Sequence, residues 1–246
     1  MQLEGKSAIV TGGASGFGAE IAKRFITEGA RVSIADLNIK AAKEHANDIG
    51  ALAHYVDISD RQSVQEMVKE ALSAHTKIDI LVNNAGVAQR PMPLDMMSEA
   101  EFDYIFNVNA KSVFLTARSL VKHFKSNGNC AILNIASSAG LSPRPGLNWY
   151  NASKGWMITA TKTMAVELAP FGIRVNALCP VAGETPLLKH FLGEDTPEKR
   201  AQFLTTIPLG RFCTPQDVAS AATFLCSEDA SMITGVAMEI DGGRCI

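Results

Sequence analysis

The run Thr11-Gly12-Gly13-Ala14-Ser15-Gly16-Phe17-Gly18 stands between a short apolar segment, Ser7–Val10, and a stretch that reads as a helix, Gly16–Glu28. Four glycines in eight residues allow a tight turn in which bare backbone comes close to its neighbours. A strand that passes through such a turn straight into a helix opens a βαβ unit, which narrows the chain to the α/β class. The rest of the sequence repeats the alternation. Strands are expected at Ser7–Val10, Arg31–Ala35, Ala53–Val56, Ile80–Val82, Ala131–Ile135, Arg174–Leu178 and Ala237–Ile240. Helices are expected at Gly16–Glu28, Ile39–Ile49, Arg61–His75, Glu99–Ser126, Tyr150–Phe171 and Pro215–Cys226. Several strands are apolar almost throughout, which suits a parallel sheet covered on both faces. Gly29 and Gly50 stand where helix C-caps belong, and Ser98-x-x-Glu101 reads as a capping box.

No linker or repeat divides the 246 residues, so a single domain over 1–246 is expected. Residues 180–208, with Gly183, Pro186, Gly193 and Pro197, form the one irregular stretch. It follows the sixth strand on the side where open α/β sheets bind ligands, and is expected to be a substrate loop. A net charge of −2 offers no basic field to nucleic acid. No apolar run approaches the roughly 20 residues that cross a membrane. The opening residues carry no apolar signal core, so a cytoplasmic protein is expected. Cys130, Cys179, Cys213, Cys226 and Cys245 make an odd set without C-x-x-C spacing, best read as free thiols. The five histidines are scattered, and no metal site is expected.

The glycine turn gains meaning from its place. A helix N-terminus offers free N–H groups to a pyrophosphate, and glycine lets the backbone approach it. Asp36 ends the second strand, eighteen residues after Gly18. A carboxylate there can accept hydrogen bonds from ribose hydroxyls and would repel a 2′-phosphate, which favours NAD over NADP. Tyr150 and Lys154 lie four apart, on one face if the segment is helical, with Ser137 thirteen residues upstream. An ammonium beside a phenol favours the phenolate, so the Tyr150 pKa is expected to fall toward working pH. Such a Tyr can move a proton to or from a substrate oxygen.

In order along the chain, the glycine turn, Asn83-Asn84-Ala85-Gly86, Asn109, Ser137, Tyr150 and Lys154 resemble the short-chain dehydrogenase/reductase family in its simple, single-domain form. The resemblance covers essentially the whole chain. It implies a Rossmann-type, doubly wound, seven-stranded parallel sheet with helices on both faces. It implies a catalytic set of Asn109, Ser137, Tyr150 and Lys154. Tyr150 would exchange the proton, Lys154 would lower its pKa and hold the nicotinamide ribose, Ser137 would bind the substrate oxygen, and Asn109 would anchor a water. It implies NAD contacts from Gly12, Ser15, Gly16, Phe17, Gly18, Asp36, Leu37, Asp57, Ile58, Asn83, Ala85, Gly86, Tyr150, Lys154, Pro180, Gly183 and Thr185. One departure stands out: the family commonly has Pro-Gly after strand six, and here Val181 follows Pro180.

The implied reaction is NAD-dependent interconversion of a secondary alcohol and a ketone, or a related carbonyl. Phe17-Gly18-Ala19, residues 144–149 and residues 183–186 resemble a branch with catabolic aromatic-alcohol or aldehyde dehydrogenases. 3-Oxoacyl-carrier-protein reductases share much of the pattern and are the alternative. A non-catalytic NAD-binding sensor is an alternative of another class, opposed by the intact catalytic set. Extended-branch epimerases normally carry a larger C-terminal domain and fit less well. Arg90, Arg144, Leu147, Trp149 and Leu187 are substrate candidates, with Arg90 or Arg144 engaging an anionic group. An ordinary surface or subunit-interface role is the simpler account of either arginine. Relatives in the family are homotetramers or homodimers, so one of these is implied.

Overall fold

The computed structural model describes residues 1–246. Seven parallel strands form one sheet in the order β3-β2-β1-β4-β5-β6-β7. They are β1 (Ser7–Thr11), β2 (Arg31–Asp36), β3 (Leu52–Tyr55), β4 (Ile80–Asn83), β5 (Cys130–Ile135), β6 (Ile173–Pro180) and β7 (Ala237–Ile240). The helices are α1 (Gly16–Thr27), α2 (Ile39–Ile49), α3 (Arg61–His75), α4 (Glu99–Phe106), α5 (Ser112–Asn127), α6 (Asn148–Leu168), α7 (Leu188–Leu192), α8 (Pro197–Leu204) and α9 (Pro215–Cys226). None is long and apolar enough to cross a membrane.

The continuous apolar strands are explained by what covers them. Ala8 and Val10 of β1, with Ile80 and Val82 of β4, pack beside Ile21 and Phe25 of α1 and Val218 and Leu225 of α9. The intervening Ile9 and Leu81 point the other way, against Met67 of α3 and Leu120 and Phe124 of α5. Alternation of period two is therefore present, but both faces are dry. The chain order reverses between β1 and β4, and at such a switch point the loops leaving the strand ends diverge into a crevice.

Local signals set the element ends. Asn38 and Asp60 cap α2 and α3 by accepting the N–H of Ala41 and Ser63. Ser98 and Glu101 form the expected capping box of α4, and Thr214 with Asp217 forms another on α9. Gly29 and Gly50 follow α1 and α2 at positive φ.

Two expectations need correcting. The long helix at 99–126 is broken: residues 107–111 form a π-turn between α4 and α5. The side chain of Asn109, inside that turn, accepts the Val87 N–H at 2.9 Å and donates to the Val87 carbonyl at 3.0 Å. The extra residue of the turn accompanies this inward aim, which an unbroken helix would not need. Residues 180–208 are not irregular throughout, since α7 and α8 lie within them, divided by Gly193.

Candidate active site

The glycine turn is held from beneath by β4. Thr11 Oγ1 accepts the N–H groups of Asn84 and Ala85, and Asn84 Nδ2 donates to the carbonyls of Thr11 and Gly12. A methyl added at Gly18 would collide with the Gly12 carbonyl and the Asn84 amide, so α1 can enter only with glycine there. Ser15 caps α1 without a side-chain hydrogen bond, which leaves first-turn N–H groups to an outside acceptor. Asp36, at the tip of β2, accepts the N–H of Ala14 at 3.0 Å and of Asn38 at 2.9 Å.

These groups line one end of a cavity of about 550 Å³ that runs over the strand ends to Ser137, Tyr150 and Lys154. Of the expected cofactor contacts, all line it except Gly18 and Asn83. Gly18 serves the close packing just described. Asn83 is buried, donating to Asn134 Oδ1 at 2.8 Å and accepting from Thr116 Oγ1 at 2.8 Å, in a polar string that Asn134 continues to Thr161. A dinucleotide fits the donor set: unclaimed N–H groups at α1, a carboxylate at β2, and a buried ammonium at the far end.

Ser137 leaves the end of β5, with its Oγ accepting the Ala139 N–H at 3.1 Å. Gln89 fixes the start of α6, since its side chain accepts the Tyr150 N–H at 3.1 Å and donates to the Gly146 carbonyl. The Tyr150 ring meets Phe191 edge-on at 5.2 Å. One turn along α6, Lys154 Nζ donates to the Ile135 carbonyl at 2.8 Å and lies 5.9 Å from the Tyr150 ring centre. Asn109 does not line the cavity; its amide also donates to Ser153 Oγ, so it braces the wall behind Lys154.

The electrostatics differ from the expectation of a lowered phenol. Burial pushes Tyr150 up to about 12, against the pull of a Ser137 hydrogen bond and the Arg144 charge. Burial likewise draws Lys154 down to about 8. With its ammonium held by Ile135, Lys154 does not offset the loss of water around the phenol.

The run after Pro180 is tightly packed. Val181 is buried and donates its N–H to the Ile240 carbonyl, extending the β6–β7 pairing. Gly183 bridges to Cys213, and a methyl on it would enter the Phe17 ring. Among the substrate candidates, Arg144, Leu147 and Leu187 line the cavity. Arg90 is exposed outside it, and Trp149 turns away to pack edge-on against Phe102 at 5.3 Å. The cavity also takes Phe203, from the expected substrate loop, and Tyr104 and Arg244, which no local sequence pattern marks.

A family model described as enoyl-(acyl carrier protein) reductase matches residues 12–244. The chain is 46% identical to 4-formylbenzenesulfonate dehydrogenase of Comamonas testosteroni, with all of both chains covered. It is 39% identical to 3-oxoacyl-[acyl-carrier-protein] reductase of Thermotoga maritima, again over the whole of both. Its fold superposes with a TM-score of 0.95 on a crystal structure of 3-ketoacyl-(acyl-carrier-protein) reductase from Brucella melitensis complexed with NADH. That pair is 50% identical, covering 99% of this chain and 100% of the other.

Proposed function

The chain belongs to the short-chain dehydrogenase/reductase family, as an oxidoreductase acting on CH–OH groups, and from that premise we propose that it uses NAD to oxidise a secondary alcohol, or a related CH–OH group, with Tyr150 as the proton acceptor. The observation that carries this reading is convergence: Ser137, Tyr150 and Lys154 meet at one end of a cavity whose other end is Asp36. NAD is favoured because a 2′-phosphate would meet the Asp36 carboxylate. A relative solved with NADH supports the same choice.

The bound nicotinamide supplies hydride acceptance and, in reverse, hydride donation. Ser137 donates a hydrogen bond to the substrate oxygen and orients it. Tyr150 takes the hydroxyl proton during oxidation and returns it during reduction. Lys154 would hold the nicotinamide ribose, and its ammonium would favour the phenolate in the occupied site. Gln89 and Asn109 position these groups without touching substrate. The relative named for 4-formylbenzenesulfonate favours an aromatic alcohol or aldehyde and a catabolic direction. The relatives named as 3-oxoacyl and 3-ketoacyl reductases support a second reading, reduction of a 3-oxoacyl thioester. A single-domain, cytoplasmic enzyme assembled as a homotetramer or homodimer completes the proposal.

Tyr150→Phe should bind NADH as the native protein does while turnover falls about 10²–10⁴-fold. Fluorescence titration of NADH beside steady-state rates with NAD and with NADP reads both. Retained turnover, or preference for NADP, would defeat the corresponding part of the proposal.

A further inference from the structure

Arg144 and Arg244 line the same cavity from segments far apart in the chain, one before α6 and one after β7. Their guanidinium carbons lie 5.0 Å and 4.9 Å from the centre of the Phe203 ring. Neither makes an ion pair, whereas Arg24, Arg200 and Arg211 each hold a carboxylate. Arg244 donates only to the Thr206 carbonyl and hydroxyl, and the Arg144 guanidinium has no protein acceptor. Stacking on an aromatic face orients a guanidinium and leaves its in-plane donors free for a planar oxyanion.

Both arginines are fixed from behind. Asn151 Nδ2 donates to the Arg144 carbonyl at 2.8 Å. Asp241 accepts the N–H groups of Gly243 and Cys245 with its carboxylate, which shapes the tail that presents Arg244. Burial and then the Arg244 charge lower the Arg144 guanidinium from its ordinary value. Two like charges in partly desolvated surroundings call for an anion to offset them. Leu147 and Phe191 form an apolar wall shared by the guanidinium pair and Tyr150.

We infer that Arg144 and Arg244, set against Phe203, form a recognition site for the carboxylate or sulfonate of an aromatic alcohol or aldehyde whose reacting oxygen lies at Ser137 and Tyr150. This assignment rests on the dehydrogenase reading above and names the substrate class of the same site.

The test compares kcat/KM, with NADH, for 4-formylbenzoate and 4-formylbenzenesulfonate against 4-methylbenzaldehyde, methyl 4-formylbenzoate and an acetoacetyl thioester. The native enzyme should favour the anions by at least about 10-fold. Arg144→Gln and Arg244→Gln should each lower the anion-to-neutral ratio about 10–100-fold, and Arg144→Lys should restore part of it. Arg90→Gln, outside the cavity, should leave the ratio unchanged. A native ratio near one, thioester preference, or equal losses on charged and neutral substrates would overturn the inference. If no carbonyl is turned over, the dehydrogenase reading fails by itself. Calorimetry with benzenesulfonate then judges the arginine pair alone: binding lost in both Gln variants supports it, and no binding to the native protein overturns it.

Discussion

Lys154 carries its charge where charge is costly, and stability should record that. Its folded pKa of about 8 lies below the ordinary value of 10.5, so between those values the unfolded chain holds the extra proton. Stability therefore rises with pH across this window, and the gain is lost as pH falls through 8. The slope is at most about 1.4 kcal/mol per pH unit. Tyr150, raised from 10 to about 12, acts oppositely but only above pH 10. Denaturant unfolding at pH 8, 9 and 10 should show native protein gaining on Lys154→Met, and a constant difference would contradict the assignment. Legibility at this scale followed the chemistry. Tyr150, Lys154, Ser137 and Asp36 could be singled out because their types and spacings carry meaning in one dimension. The direction of the Tyr150 shift could not, because it is set by how much water the folded cavity excludes. Arg144 and Arg90 were indistinguishable by type; Arg144's place between Ser137 and Tyr150 pointed to the cavity edge, and the fold puts Arg144 in the cavity lining and Arg90 outside it.

At the scale of elements, the inner strands β1, β4, β5 and β6 were readable to within a residue or two because burial on both faces leaves apolar runs, a cause that does not extend to the partly exposed edge strands β3 and β7. The cap of α4 was readable because Ser98 and Glu101 satisfy free N–H groups at its start, whereas the caps at Asp60 and Thr214 emerged only from the structure. The π-turn was not, since one inserted residue shifts a helical pattern too little to notice, and the Val87 backbone that Asn109 engages from it lies 22 residues away. The short helices α7 and α8 were hidden by the prolines and glycines that delimit them. Gly18 joins turn to helix so closely that Gly18→Ala should cost roughly 2–4 kcal/mol through overpacking. That corresponds to a Tm lowered by roughly 5–15 °C in a thermal scan. An unchanged Tm would show that β4 and α1 can separate at no cost.

At the scale of the molecule, the parallel sheet brings every strand's C-terminal end to one edge, so groups far apart in sequence meet there. Arg244 meets Arg144 across 100 positions, and only three-dimensional closure makes the pair visible. The segment that carries Arg244 over Phe203 also divides the cavity between distant stretches of chain. The glycine turn, Asp36, Ser137, Tyr150 and Lys154 all precede residue 155, whereas Arg244 joins the cavity through the segment that follows β7. If the inferred arginine pair sets selectivity, that property and dinucleotide binding belong to separate stretches of the chain. Chain shortened to residue 243 should keep NADH affinity while its preference for anionic over neutral aldehydes collapses. Equal loss of both properties would mean that the tail supports the entire cavity instead. Backbone cleavage after β7 would then register as a mixture of specificities within one enzyme that binds NADH uniformly.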